Sequence, residues 1–98
     1  MFGADFTELV RLFLTDSPRR ITTLRQATVE NDIAAITGVA HALSGSTASI
    51  GARGLAALCK DLEIKLKAGL LTEIGPRLKS IEAEYARIES QLRSMAIK

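Results

Sequence analysis

Apolar residues recur at steps of three and four along nearly the whole of this 98-residue chain, and no stretch alternates with the two-residue period of a strand. Such a chain must fold as helices that each bury one face against the others. The longest stripe is the last: Ile74, Leu78, Ile81, Tyr85, Ile88, Leu92 and Met95. Its helix is expected to start at a Thr72 cap and to tolerate Pro76 in its first turn. Only two prolines interrupt the chain, so long helices are permitted. Trp is absent and aromatics make up 4%, which leaves a core built on Leu, Ile, Val and Ala.

The breakers divide the pattern. A first segment runs from about Asp5 to Thr15, with Phe6, Leu9, Val10 and Phe13 on one side. Ser17-Pro18 then joins a good N-cap to a proline at the first helical position. Either a second helix or a kinked continuation follows to about Glu30, burying Ile21, Leu24 and Ala27. Asn31-Asp32 caps the next helix, whose inward residues are Ile33, Ile36, Val39, Ala40, Leu43, Thr47 and Ile50, and Gly51 closes it. Another spans about Arg53 to Ala68, with Leu55, Leu58, Cys59, Leu62 and Leu66 inward and Gly69 as its stop. Exposed pairs are expected at the favourable four-residue spacing: Asp61 with Lys65, Glu63 with Lys67, Glu89 with Arg93. Short connections make consecutive helices antiparallel. The expected fold is therefore all-α, one domain over residues 1–98: an antiparallel up-down four-helix bundle with an additional short N-terminal helix. The heptad of the last helix also suits a coiled-coil dimer. Three further helices with apolar faces of their own favour packing within one chain, hence a monomeric domain.

Several function classes fall away at this level. Thirteen Lys and Arg against eleven Asp and Glu give a net charge of only +2, with the two signs interspersed. Nucleic-acid binders gather their basic residues on one face, so no nucleic-acid partner is expected. No apolar run is long enough to span a bilayer, and no basic-apolar leader opens the chain, so neither membrane contact nor secretion is expected. Cys59 stands alone, which excludes an internal disulfide and suits a reducing, cytoplasmic setting. Among Leu55, Leu58 and Leu62 it reads as a buried, inert thiol. With one histidine and no cysteine cluster, a metal centre lacks ligands. No Gly-rich phosphate loop is present, and His41 has no basic or acidic partner on its own helix face, so an independent enzyme is not expected.

The single histidine sits where a core residue does not. On a helical wheel His41 lies roughly 150° from the middle of the apolar arc of its helix, toward solvent. Its surface neighbours Thr37, Gly38, Ser44 and Gly45, with Ala34 and Ala48 a turn further out, are all small. Two glycines inside one helix cost about 1 kcal/mol each relative to Ala, so helix stability does not explain them. Small neighbours leave an imidazole standing clear on a flat platform that another protein can reach. Near neutral pH such a ring is mostly uncharged and nucleophilic. It can accept a phosphoryl group and release it, provided the partner brings metal and charge stabilisation. Two plainer readings stand beside this one: a surface histidine without a role, and glycines that let the helix pack closely on the chain's own first segment.

The run from Ala40-His41-Ala42-Leu43-Ser44-Gly45-Ser46-Thr47 through Ile50-Gly51-Ala52 to Leu55, Cys59, Leu62 and Glu63 resembles the histidine-containing phosphotransfer (HPt) domain family. The signature is an Ala-His pair, Leu two and Gly four after the His, small hydroxylated residues, a Gly-Ala turn and a Leu-rich helix ending in Leu-Glu. Asp32 and Phe13 also fall where the family tends to have such residues. The resemblance implies a phosphorelay intermediate of two-component signalling, a carrier and not a kinase. His41 would be phosphorylated, on Nε2, by the phospho-aspartate of a response-regulator receiver domain and would pass the group to a receiver. No cofactor is implied in this chain; Mg²⁺ and the catalytic Asp and Lys belong to the receiver. Such domains stand free or form the cytoplasmic C-terminal module of a membrane-bound hybrid sensor kinase.

One departure bears on the site. The family usually carries Lys three residues after the His, and here that residue is Ser44. A substitute is expected on the neighbouring helix, where Arg53, Lys60 and Lys67 share a face away from the Leu stripe; Lys60 falls at a height similar to His41. A solvated lysine without a role is the competing reading. The expected docking and phosphoryl-neighbouring residues are thus Thr37, Gly38, Ser44, Gly45, Ala48 and Lys60 around His41. The alternative function, favoured by Ser44, is a helical interaction module that has lost phosphotransfer.

Overall fold

The computed structural model describes residues 6–96, with side chains through Met95. Four α-helices carry the fold: α1 (Phe6–Val29), α2 (Ile33–Ser49), α3 (Arg53–Lys67) and α4 (Ile74–Ala96). A single 3-10 turn, Leu71–Glu73, precedes α4 and takes in Thr72, so α4 starts two residues after the expected cap. Pro76 lies in its first turn, as expected. Each helix packs on its two neighbours in the cyclic order α1, α2, α3, α4, and the diagonal pairs make no close backbone approach. The four-helix bundle stands as expected.

Its short N-terminal helix is not separate. Ser17 and Pro18 lie inside α1, and Ser17 is fully buried instead of capping. Proline in a helix interior costs about 3 kcal/mol. Here the buried stripe Val10, Phe13, Ser17, Ile21, Leu24 and Ala27 runs unbroken through it. Packing along that stripe outweighs the lost backbone bond. The expected start at Asp5 lies outside the described residues.

Three successive helices end in the same way, and these endings set the register of the bundle. Asn31 (φ 56°), Gly51 (φ 77°) and Gly69 (φ 75°) adopt the left-handed conformation. Behind each, paired bonds return to the last turn, as in Asp32 N–H to Ala27 O and Ala52 N–H to Thr47 O, both 2.9 Å. Asp32 closes one motif and opens the next helix, its Oδ1 accepting from the Ala35 N–H at 3.1 Å. Ala52 similarly serves both α2 and α3. Turns this tight leave α2 and α3 no choice but an antiparallel hairpin.

The core joins Phe13, Leu24, Ile36, Leu43, Leu55, Leu62 and Ile81, with the Phe13 and Tyr85 rings 5.6 Å apart. Ile33, Val39, Ile50, Leu58 and Leu92 are half-buried at its margin. Met95 and Phe6 depart from expectation: both are more than half exposed, because the helix ends project past their neighbours. The Tyr85 hydroxyl is buried with no hydrogen-bond partner among the described residues. Of the expected exposed pairs, Glu89–Arg93 forms at 3.0 Å and Lys65–Asp61 only at 4.0 Å. Asp61 instead receives Arg77 Nε from α4 at 2.6 Å, while Arg77 Nη1 holds Glu73 at 2.7 Å. Glu63 does not pair with Lys67 at all.

Candidate functional site

Glu63 turns inward from α3, with a side chain only 9% exposed, and its Oε2 lies 3.0 Å from His41 Nδ1 on α2. The imidazole itself is 80% exposed. A carboxylate can only accept, so Nδ1 carries the ring hydrogen and donates it, leaving Nε2 with its lone pair in solvent. The second carboxylate oxygen, Oε1, is buried with no partner among the described residues. The ring is thus held at one nitrogen and free at the other. Exposed histidines without such an anchor sample several rotamers and both tautomers; this one is restricted to a single nucleophilic presentation.

As expected, His41 has no acidic partner on its own helix, but α3 supplies one across the hairpin. Glu63 itself sits on the inner side of α3 together with Leu55, Cys59, Leu62 and Leu66. Its charge and the burial of the site act on Cys59: burial first, then the Glu63 charge, pushes the thiol up to about 12. The thiol is therefore buried, protonated and unreactive at neutral pH.

The small platform is present. Gly38, Gly45, Ala34 and Ala48 are exposed on α2 around His41. A Cβ added at Gly38 or Gly45 would meet nothing within 4 Å among the described residues, so neither glycine serves packing against them. Thr37 and Ser44 are half-buried on the flank toward α3; the Thr37 hydroxyl is engaged with Ile33 O at 2.8 Å. On the opposite flank, a shallow groove between α1 and α2 is lined by Leu9, Leu12, Asp16, Arg20, Ser46 and Ser49, with Leu12 48% exposed. Lys60 is exposed on α3, one turn before Glu63. A separate apolar recess between the start of α1 and the end of α4 is lined, among the described residues, by Phe6, Thr7, Val10, Leu92 and Met95, none of them titratable. Among the described residues no three or more His, Cys, Asp or Glu converge on a metal position, and no helix is long and apolar enough to cross a membrane.

A four-helix bundle presenting one anchored histidine from the middle of a helix, beside a face of small residues, defines a helical phosphoryl-carrier architecture. The chain belongs to the Hpt domain family, whose model matches residues 8–91. Among solved structures it is similar to histidine-containing phosphotransfer protein B (HptB) from Pseudomonas aeruginosa PAO1. The two share 28% identity and a TM-score of 0.88 over 92% of this chain and 78% of that one. No functionally curated protein matches it in sequence.

Proposed function

We propose that the chain is a phosphorelay intermediate in which His41 takes a phosphoryl group from a receiver-domain phospho-aspartate and passes it to a receiver aspartate. The observation that carries this reading is the division of labour on one ring: Nδ1 tied to a buried carboxylate, Nε2 open to a visiting domain.

The chemistry balances without a proton transfer. The Nε2 lone pair attacks phosphorus, the N–P bond forms as the P–O bond to the receiver's aspartate breaks, and the aspartate leaves as a carboxylate. Nδ1 keeps its hydrogen throughout. The ring becomes cationic, and Glu63 lies directly against the new charge. Delivery to the next receiver is the same step reversed. Metal and oxyanion stabilisation come from the receiver with its Mg²⁺, so this chain acts as a carrier and not as an enzyme in its own right.

Gly38, Gly45 and Ala48 let the receiver's active-site rim settle against α2, with Thr37 and Ser44 bordering the ring. Leu12 gives docking an apolar anchor beside them. The test is incubation with a phosphorylated receiver domain. The chain should acquire an acid-labile, base-stable phosphate, and His41→Gln should lose it with helical content intact. Label surviving on the His41→Gln protein would refute the assignment.

A further inference from the structure

We infer that Lys60 and Lys67 of α3 form the cationic side of the phosphoryl site, a positioning pair for the charge that phosphorylation brings to His41. The inference rests on His41 being the phosphorylated residue and goes beyond it by assigning what neutralises the group.

The need is electrostatic. Apart from His41, α2 contains no ionisable side chain from Ile33 to Ser49. A phosphoryl group adds about −1.5 to −2 of charge. It arrives beside Glu63, a buried carboxylate with one oxygen already lacking a partner. The cationic ring offsets only one unit of that negative charge. Any further cation must come from a neighbouring helix. On the α1 flank the groove offers Arg20, but Asp16 lines it too, near the far end of α2. The fourth helix lies diagonally across the bundle and makes no close backbone approach to α2. That leaves α3.

The register places the two lysines. With Glu63 opposite His41 in an antiparallel hairpin, Lys60 stands level with Ser44 and Lys67 level with Thr37, each within about one helical turn of the bonded pair. Both lie within roughly 60° of Glu63 around the α3 axis. Both are exposed, and neither is in an ion pair with any described residue. The third lysine of the helix, Lys65, is directed to Asp61 instead. Two long, unengaged cations thus bracket the one buried carboxylate that holds the ring. Removing either should favour protonation of the phosphoryl group.

The test labels the full chain at His41 with phosphoramidate and follows the ³¹P resonance through pH at low salt. In water-like dielectric at about 8 Å, each lysine lowers the phosphoryl titration midpoint by about 0.4 pH unit. Lys60→Ala and Lys67→Ala should each raise the midpoint by that amount, the double variant by about twice as much, and Lys60→Arg should restore it. Lys79→Ala on α4, which removes the same charge far from α2, is the control. A double variant that titrates like Lys79→Ala overturns the inference while leaving His41 as the carrier. No phosphohistidine signal in the parent protein overturns the carrier reading and this inference with it.

Discussion

Replacing Glu63 by Gln separates what the carboxylate's charge contributes from what its hydrogen bond contributes. Gln keeps an oxygen that can accept from Nδ1–H, so ring orientation and tautomer persist. What disappears is the attraction between the carboxylate and the positive ring that exists only once phosphorus is bound. Point charges about 4 Å apart would interact by about 4 kcal/mol at an effective dielectric of 20. Because the ring is 80% exposed, solvent screens much of that. The excess of a charge-assisted bond over a neutral one, about 1.5 kcal/mol, is the better guide. That corresponds to about tenfold in rate or equilibrium.

The assay is single-turnover transfer from a phosphorylated receiver, read for both rate and final fraction of phosphohistidine. Glu63→Gln should lower the rate, and the equilibrium constant obtained from the final fraction, about tenfold each; Glu63→Leu, which also releases the ring, should lower the rate about thirtyfold or more. Stability should move the other way. Glu63 is buried with Oε1 unpartnered, so replacing it by an apolar residue of similar volume should be neutral or stabilising by about 1 kcal/mol in urea melts. Wild-type transfer by Glu63→Gln would show that the pairing is an incidental contact and refute the reasoning.

Other outcomes follow from the same geometry. His41→Ala, though it removes an exposed side chain, should cost about 1–3 kcal/mol because it strands the Glu63 carboxylate, whereas His41→Gln, which retains a donor, should cost less; equal urea midpoints would contradict this. Gly38→Ala and Gly45→Ala should each stabilise the fold by about 1 kcal/mol, since both sites are helical and open. Gly45→Arg should slow phosphorylation by a receiver about tenfold or more while labelling by phosphoramidate proceeds unchanged, the mark of a docking surface. Burial, with the Glu63 charge second, pushes the Cys59 thiol up to about 12, and burial, with the Glu89 charge second and Arg93 opposing, pushes the Tyr85 hydroxyl up to about 12. Both stay protonated in the fold while the unfolded chain ionises from about pH 8.5 and 10, so stability should be flat below that window and fall as pH rises through it. Urea midpoints rising between pH 9 and 11 would exclude this, and Cys59→Ala should flatten the lower part of the fall.

The four-helix bundle, the direction of its helices and most boundaries were legible because each rests on local chemistry. Asp32 caps, Gly51 and Gly69 stop, and the apolar stripes have helical period. The exposure of His41 was legible for the same reason: a residue's angle on a helix depends only on its neighbours in sequence. The Ser17-Pro18 boundary misled because a local cap signal competed with burial on both sides of it, and tertiary packing won. Phe6 and Met95 misled in the opposite sense, since periodicity continues past the point where a neighbouring helix ends.

Glu63 is the instructive case, because the sequence did contain its signal in two parts that had to be combined. Taken alone, Glu63 and Lys67 fit the four-residue spacing of a surface ion pair. Yet Glu63 also lies one turn after Cys59 and beside Leu62, on the arc that α3 buries. A carboxylate on that arc must find a partner, for burial without one costs more than a surface ion pair returns. His41 and Glu63 stand equally far before and after Ala52, the residue shared by the α2 stop and the α3 start. A tight hairpin therefore sets them side by side, and the only unengaged donor on α2 at that level is the imidazole. The nucleophile was readable from one helix; the group that holds it could be read only from the turn joining two.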